Sequence, residues 1–299
     1  MFQMQPFMSP GAEANAAVRL DASLALAFER RDVDGVTVLR DVAQTPPLRV
    51  IRAFSAEDRS ALVHMHNVSG GVLGGDKLAL AVRVGAGANV QLTTTGATRL
   101  YRSRKDALTA VQTNSIIIEE GGLLEYVPDP LIPFAGARFR QETRIQLVPG
   151  AGLFWWEILA PGREAHGECF AYEEIGLKTE IRADGKLIAH ENVVLEPNKI
   201  RMDAVARLDV YRYWVMFYIC RVGPDTDWLG AEARLRDAAA PWCKLGEMLW
   251  SVSTLPAHGL AIRGLARSGR DILPALQALW RSAKLLLFGR APILPRKVR

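Results

Sequence analysis

The chain has 299 residues, of which 49% are hydrophobic and 23% charged, and its formal net charge is +5. This composition is typical of a globular protein with a sizeable core and excludes a disordered chain. The start has neither the basic residues nor the apolar stretch of a secretory signal, and no apolar run approaches the roughly 20 residues that span a bilayer. We therefore expect a cytoplasmic protein without a membrane segment.

The positions of the cysteines and of the charged residues exclude further classes of protein. Cys169, Cys220 and Cys243 are odd in number and irregularly spaced, so they predict neither a disulfide framework nor a zinc finger. From residue 263 onward, nine lysines and arginines are opposed by the single acid Asp271. Such a basic end suggests an acidic partner. Because no nucleic-acid-binding motif accompanies it, we expect a solvated basic surface or a protein-docking surface rather than a site for nucleic acid.

Residues 1–17 read as a loose N-terminal extension, and the sequence from there to about 200 reads as strand after strand. The segments are rich in β-branched and aromatic residues, and turn pairs such as Asp34-Gly35 separate them. The predicted strands lie in LALAFERRDVDGVTVLRDV, PLRVIRAF, ALVHMHNV, KLALAVRV, NVQLTTT, SIIIEE, LLEYV, ARFRQETRIQLV, GLFWWEIL and GLKTEIRADGKLIAHENVVL.

A weak internal repeat indicates how these strands are arranged. VRVGAGANVQL, IIIEEGGLLEYV and IQLVPGAGLFWWEI each contain an apolar strand, a short glycine turn and a second apolar strand, at intervals of 30 to 35 residues. Such a period favours stacked units that bury one another's faces. We predict a single, mainly β domain over residues 18–299, a stacked two-layer β-solenoid or β-helix-like fold, with a β-sandwich of ordinary hairpins as the alternative.

The last third of the chain is mixed. YRYWVMFYIC and LAIRGLAR read as strands, whereas AEARLRDAAAPWCKLGEMLW is helical in composition. The clearest helix lies in SGRDILPALQALWRSAKLLLFG, where apolar residues recur at helical spacing. We expect Ser268 to cap its start, Pro274 to lie in its first turn and Gly289 to end it.

The glycine-rich stretch GGVLGGDKLALAVRV is not a phosphate loop. Asp76 follows Gly75 and would repel phosphate, Lys77 is followed by Leu78 rather than by a hydroxyl residue, and the segment after it is a strand. Glycines at such a place allow a tight turn or a close backbone approach. The residues to which we assign this structural role are Gly70, Gly71, Gly74 and Gly75.

Candidate metal ligands are few. His64 and His66 alternate along a strand and therefore share a face, and His166 offers a further imidazole. Two ligands on one strand do not make a site, so these histidines are weak candidates and we predict no tight metal site. No catalytic triad or zinc-protease motif is present, so nothing in the residues themselves requires an enzyme.

Four segments together resemble the UreD family of urease accessory proteins, called UreH in some bacteria. They are HNVSGGVLGGDKLALAVRVGAGANVQLTTTGATRLYRS, LLEYVPDPLIPFAGAR, LAPGREAHGECF and GRAPILPR. The resemblance runs from about residue 24 to the C-terminus and is weakest over residues 200–250. The pattern GG-x-x-GGD followed by TT-x-GA-x-x-x-YRS is its most specific part.

The resemblance implies a non-catalytic chaperone of nickel insertion into apo-urease. Such a protein would bind UreF directly and the GTPase UreG through UreF, in a complex with two copies of each, and would dock on apo-urease. Nickel would be a transient cargo that crosses an internal water-filled tunnel, with no tightly bound cofactor. A β-solenoid enzyme that acts on acidic polysaccharide remains the alternative.

The matching motifs also imply candidate residues for nickel transit. These are Asp76, Arg99, Tyr101, Arg102, Ser103 and Glu168. Two of them have structural alternatives, because Asp76 can simply end a turn and Glu168 can simply pair with Arg163. Carboxylates are reasonable transit groups, since they bind nickel weakly enough to release it.

One segment departs from the family pattern. Many members have Leu-Pro-Gln-acid-x-Ile after Leu-Glu-Trp, whereas this chain has LEYVPDPLIPFAGAR, in which Asp129 is the nearby carboxylate.

We also expect the helix and tail over about 270–299 to face UreF, through Trp280, Arg281 and Lys284. An apolar anchor bordered by basic residues is typical of an interface. The alternative is that Trp280 only closes the end of the fold.

Overall fold

A computed structural model describes residues 21–104, 107–223 and 226–295 of the chain. The extension predicted over residues 1–17 and the last basic residues, 296–299, lie outside the described residues. The described part is built from two large β-sheets and two α-helices. None of its helices is long and apolar enough to cross a membrane.

The first sheet has seven strands, in the order β14-β13-β11-β8-β5-β1-β2. The five central strands run parallel, and β2 and β14 pair antiparallel at the two edges. The strands are β1 (Asp21–Arg30), β2 (Thr37–Gln44), β5 (Lys77–Val84), β8 (Ala110–Ile118), β11 (Arg138–Leu147), β13 (Glu174–Ala183) and β14 (Lys186–Leu195).

The second sheet has ten strands, eight of them in the order β16-β17-β15-β12-β9-β6-β4-β3. Its central strands β12, β9, β6 and β4 run parallel. The eight are β3 (Leu48–Ser55), β4 (Ala61–Asn67), β6 (Asn89–Thr94), β9 (Leu123–Tyr126), β12 (Gly152–Leu159), β15 (Tyr213–Arg221), β16 (Met248–Thr254) and β17 (Gly259–Ala266). Two short strands, β7 (Thr98–Leu100) and β10 (Leu131–Pro133), pair beside them.

The three sequence repeats correspond to three crossings between the sheets. Strands β5, β8 and β11 lie in the seven-stranded sheet, and after a short turn each leads into β6, β9 or β12 of the ten-stranded sheet. The prediction of a mainly β fold with helices near the C-terminus is confirmed. Both sheets are open along the described residues, and neither closes on itself.

Two cores hold the layers together. Alternate residues of the parallel strands, for example Leu80 and Val82 of β5, pack between the sheets against Val90 and Leu92 of β6. The opposite face of the ten-stranded sheet packs against the helices α1 (Trp228–Ala239) and α2 (Ile272–Phe288). Burial of these apolar faces is the main stabilising term. The two sheets leave a space between them where the residues that face each other are polar.

The C-terminal helix is confirmed with one correction. Gly289 ends α2 in a left-handed conformation with φ 68°, and Pro274 lies in the first turn. The residue at the N-cap is Asp271 rather than Ser268, because the helix begins at Ile272. The helical interpretation of AEARLRDAAAPWCKLGEMLW is wrong in its second half. There α1 ends at Ala239, and the chain turns into β16, whose pairing with β17 outweighs local composition.

Candidate functional site

A cavity of about 380 Å³ lies between the two sheets, and we call it the inner cavity. Its outer end is formed by exposed or half-buried residues, and its inner end by buried polar side chains. The polar and charged residues that line it are His66, Asn67, Thr94, Thr95, Thr98, Arg99, Gln112, Asn114, Asp129, Gln141 and Glu157.

Glu157 of β12 is the carboxylate at the inner end. Gln141 of β11, in the opposite sheet, donates its Nε2 to Glu157 Oε1, so the pair connects the two sheets. Burial raises the pKa of Glu157 to about 8; the Gln141 amide opposes this, and the charge of Glu191 raises it further. The Glu157 carboxyl group is therefore mostly protonated, and so uncharged, at pH 7.

Amide and hydroxyl groups continue from Glu157 across the seven-stranded sheet. Gln112 Nε2 donates to Asn114 Oδ1 at 3.0 Å, and Asn114 Nδ2 donates to Thr143 Oγ1 at 2.9 Å. Both Asn114 and Thr143 are buried. Their hydrogen bonds explain how polar groups are accommodated in this interior, since an unpaired buried amide is costly.

At the outer end, Asp129 is fixed by Thr94. Thr94 Oγ1 donates to Asp129 Oδ2 at 3.0 Å and accepts from the Asp129 backbone N–H at 2.9 Å. Arg99 lines the same end and is exposed, and half-buried His66 lies close by on β4. Arg99 is thus the predicted transit residue that the structure places directly on the inner cavity.

The two glycine motifs of the sequence pack against each other beside the cavity. Val72 N–H donates to the Arg99 carbonyl at 2.8 Å, and Tyr101 N–H donates to the Val72 carbonyl at 2.8 Å. A Cβ on Gly71 would lie 2.6 Å from the Arg99 carbonyl oxygen, and one on Gly74 would lie 2.8 Å from Ser103 Oγ. Gly70 and Gly75 have φ of 81° and 91°, in the region that favours glycine.

Asp76 is fully buried at the end of this turn. Its Oδ2 accepts from the Leu73 backbone N–H at 2.9 Å, and its Oδ1 has no hydrogen-bond partner among the described residues. Asp76 does not line the inner cavity. The geometry is that of a residue that closes a turn, and its part in nickel transit stays a prediction.

Tyr101 and Ser103 pack against the glycine turn, whereas Arg102 does not. Tyr101 Oη donates to the Gly70 carbonyl at 3.3 Å, and its ring meets Phe134 edge to face with centroids 5.0 Å apart. Ser103 is buried, and its Oγ accepts from the Arg138 backbone N–H at 3.2 Å. Arg102 is exposed and lies beside the positive-φ Gly136. None of the three lines the inner cavity.

Glu168 forms a clamp with Arg163. Arg163 donates to both carboxylate oxygens, at 2.8 Å from Nε to Oε2, and the Ala135 backbone N–H donates to Oε2 at 3.1 Å. The Arg163 guanidinium holds the pKa of Glu168 below its usual value. The same guanidinium stacks over Phe134, 4.1 Å from the ring centroid. This is the pairing with Arg163 that the sequence left open as a structural alternative.

The three predicted partner residues differ in exposure. Trp280 is fully buried and meets Trp156 edge to face, and Lys284 is buried, where its Nζ donates to Glu125 Oε1 at 2.6 Å. Neither side chain is exposed to a partner in this structure, because both belong to the apolar stripe that faces the sheet. Arg281 of α2 is exposed, and its contact with UreF stays a prediction.

The histidines do not converge. His64 meets Phe54 edge to face at 6.1 Å, His66 lines the inner cavity, and His166 lies exposed in a short 3-10 helix. Among the described residues, no group of three or more histidine, cysteine or acidic side chains is placed to hold a metal ion.

Sequence reasoning missed the inner end of the cavity. Glu157 is the single charge in the run GLFWWEIL, and a carboxylate inside a strand that is buried on both faces is the signal that identifies it. Gln112 and Asn114 show a second signal, because they occupy the inward positions of β8 where Ile116 and Ile118 continue the pattern.

Comparison with known proteins gives a consistent result. A family model described as UreD urease accessory protein matches residues 20–299. The urease accessory protein UreD of Herpetosiphon aurantiacus is 44% identical over 281 residues, which cover 94% of this chain and 97% of that protein. Its counterpart in Pseudomonas aeruginosa is 36% identical over 252 residues, covering 84% and 85%. The chain therefore belongs to the UreD family of urease accessory proteins.

Proposed function

We propose that this chain is a scaffold required for nickel insertion into apo-urease, and that nickel crosses its inner cavity as cargo. Membership of a family of accessory proteins supports the first part and confirms that the chain is not an enzyme. The same membership does not favour an enzyme acting on acidic polysaccharide. Glu157, a carboxyl group buried among amide and hydroxyl groups at the inner end of the cavity, is the observation that supports the second part.

The chemistry of the cavity suits passage rather than storage. Nickel is a borderline cation that binds carboxylate and imidazole groups, which the cavity offers as Glu157 inside and as Asp129 and His66 at the outer end. These groups are dispersed, and amide and hydroxyl oxygens lie between them. A cation at Glu157 would favour the ionised carboxylate, and the high pKa of that group would favour release when a proton returns.

The partners belong to the same proposal. UreF binds directly, UreG binds through UreF, the assembly contains two copies of each, and it docks on apo-urease in the cytoplasm. Two features support a UreF surface on α2 and the tail after it. Leu285 and Leu294 are large apolar side chains with 45% and 51% of their surface exposed, and Arg281 lies one helical turn before Leu285. Trp280 and Lys284 would hold this surface in place from beneath.

A paired substitution tests the UreF surface. Arg281→Glu combined with Leu285→Asp is expected to abolish capture of UreF while the protein stays folded, because both side chains point away from the core. Arg234→Glu, on the exposed side of α1, is the control and should retain capture. Full UreF binding by the double variant would place the UreF surface elsewhere.

Co-expression tests the function. Apo-urease is produced with UreF and UreG, with or without this chain, and the nickel content and activity of the purified urease are measured. The proposal expects both to depend on this chain. Equal nickel content without it would contradict the proposal.

The solenoid-like description of the fold is likewise a proposal. It is supported by the three crossings from β5, β8 and β11 into the opposite sheet, each of which coincides with one sequence repeat.

A further inference from the structure

Polar residues on the inner face of the seven-stranded sheet continue beyond the inner cavity. Asn114 is in register with Thr143, Thr143 with Thr179, and Thr179 with Glu191 of β14. Asn114 lines the cavity, whereas Thr179 and Glu191 do not. Since cross-strand partners project on the same side of a sheet, these four side chains form one row that leads from the cavity to the sheet edge.

The ten-stranded sheet has a matching row. Glu157 of β12 is in register with Met216 of β15, and Met216 with Arg263 of β17. Neighbouring strands lie about 4.8 Å apart, so Arg263 is about 10 Å from Glu157 along this row. Met216 is buried between them, and a methionine side chain can change conformation at low cost.

A buried hydroxyl lies in the same region. Tyr218, two residues from Met216 on the inner side of β15, is buried, and its Oη has no hydrogen-bond partner among the described residues. The charges of Glu191, Glu157 and Arg263 all act on this tyrosine. Polar groups thus lie among the apolar side chains between the inner cavity and the sheet edge.

An ion pair joins the two rows at β14, the edge strand of the seven-stranded sheet, and β17, the strand next to the edge of the ten-stranded sheet. Arg263 Nη2 lies 2.9 Å from Glu191 Oε2, which links β17 of one sheet to β14 of the other. The side chains are 49% and 23% exposed, so the pair lies at the boundary between the interior and the surface. Part-exposed pairs of this kind contribute little to stability and open readily.

We propose that the Glu191–Arg263 ion pair is a gate at a second opening of the interior, opposite the end marked by Arg99. The inference rests on the proposed function, because it assigns this gate to the nickel path. A cation that reaches the edge competes with the guanidinium for the Glu191 carboxylate, and Arg263 then swings towards solvent. Until that happens, the positive charge of Arg263 repels a cation that approaches from outside.

The alternative is that the pair only holds the two sheets together, as a brace. Two substitutions of Arg263, one by a small and one by a large side chain, distinguish the gate from this alternative. Arg263→Ala removes both the brace and the gate and leaves the opening free, whereas Arg263→Trp removes the brace and fills the opening. Arg140→Ala and Arg140→Trp are the controls, since Arg140 pairs with Glu174 on the outer face of the seven-stranded sheet.

Each variant is co-expressed with UreF, UreG and apo-urease, and thermal stability, UreF capture and nickel per urease active site are measured. The gate predicts that Arg263→Ala loads at least as much nickel as the wild type. It predicts that Arg263→Trp binds UreF but loses nickel loading, and that both control variants load normally. Should Arg263→Trp not fold, the double variant Glu191→Leu with Arg263→Leu closes the same opening with apolar side chains and should lose loading too.

Several results would overturn the gate. Equal losses for Arg263→Ala and Arg263→Trp would indicate a brace, and normal loading by every folded variant would show that nothing passes there. A sample without this chain distinguishes failure of the gate from failure of the proposed function. If urease acquires nickel in that sample as well, the proposed function is wrong and the gate falls with it.

Discussion

Replacing Glu157 by glutamine should make the protein more stable, and increasingly so as the pH rises. The folded state holds this carboxyl group with a pKa of about 8, against an ordinary value of 4.5. Between these values the unfolded chain releases the proton that the folded chain keeps. The free energy of unfolding of the wild type therefore falls as the pH rises. The contribution of protonated Glu157 is fully present below pH 4.5 and has been lost once the pH has passed through 8.

The size of the effect follows from the same two values. Each pH unit in this window lowers the free energy of unfolding by about 1.4 kcal/mol, so the whole window amounts to about 5 kcal/mol. Between pH 5 and pH 8 the change is about 4 kcal/mol. Glutamine cannot ionise, and its amide can still form a hydrogen bond with Gln141 across the sheets.

Urea unfolding at pH 5 and pH 8 measures this difference. The advantage of Glu157→Gln over the wild type should grow by about 4 kcal/mol between the two pH values. Glu142→Gln is the control, because Glu142 points to the outer face of the same strand as Gln141 and forms exposed ion pairs worth at most about 1 kcal/mol. An advantage of Glu157→Gln that is equal at both pH values would refute the reasoning.

Three further substitutions test other parts of the fold by urea unfolding. Asp76→Ala should destabilise the protein by about 1–3 kcal/mol, because a buried backbone N–H loses its acceptor; unchanged stability with reduced nickel loading would instead favour a transit role. Lys284→Met should cost up to about 3–5 kcal/mol, because the Glu125 carboxyl group, whose pKa burial already raises, must then lie buried without its partner or take up a proton, and adding Glu125→Gln should recover much of the loss; no recovery would mean that Lys284 acts independently of Glu125. Gly71→Ala should cost about 1–3 kcal/mol because its Cβ meets backbone, whereas Gly96→Ala, with open space around it, should be tolerated. Equal effects of the two would contradict the close packing at Gly71.

The strands of the two sheets could be predicted because their signals are local. In KLALAVRV the residues alternate with a period of two, and glycines mark the turns before and after the strand. Strands β7 and β10 have three residues each and pair with each other, so tertiary contact rather than their own sequence defines them. The same holds for β16. The segment that leads into it has a helical composition, but pairing with β17 makes β16 a strand.

The candidate site was harder to predict because it depends on which strand faces meet. Gln141 and Glu157 belong to different sheets, and nothing in either segment specifies their contact. The contact of Lys284 is likewise not specified by its own segment. Helical spacing places it on the stripe of Leu276 and Trp280, but its partner Glu125 is 159 residues away in sequence. The sequence alone therefore favours an interface for this lysine, whereas its buried partner comes from the fold.

The family motifs identify the family and lead to only part of the candidate site. They led to Arg99, which lines the inner cavity, and to Tyr101 and Ser103, which support the adjoining turn. Motif matching identifies residues that a fold requires as readily as residues that touch the cargo. Asp76 and Glu168 illustrate this, since both have structural contacts that account for their positions.

The most direct test of the central claim is to block the inner cavity without disturbing the fold. Gly96 lines the cavity, and an added Cβ there meets no atom within 4 Å, so Gly96→Trp should fill the outer end. Gly223→Trp is the matched control, because Gly223 also has open space and lies away from the cavity. Nickel per active site is measured in urease co-expressed with UreF, UreG and each variant. We predict that Gly96→Trp still captures UreF but leaves urease largely without nickel, whereas Gly223→Trp loads it normally; wild-type nickel content with Gly96→Trp would contradict passage through the inner cavity.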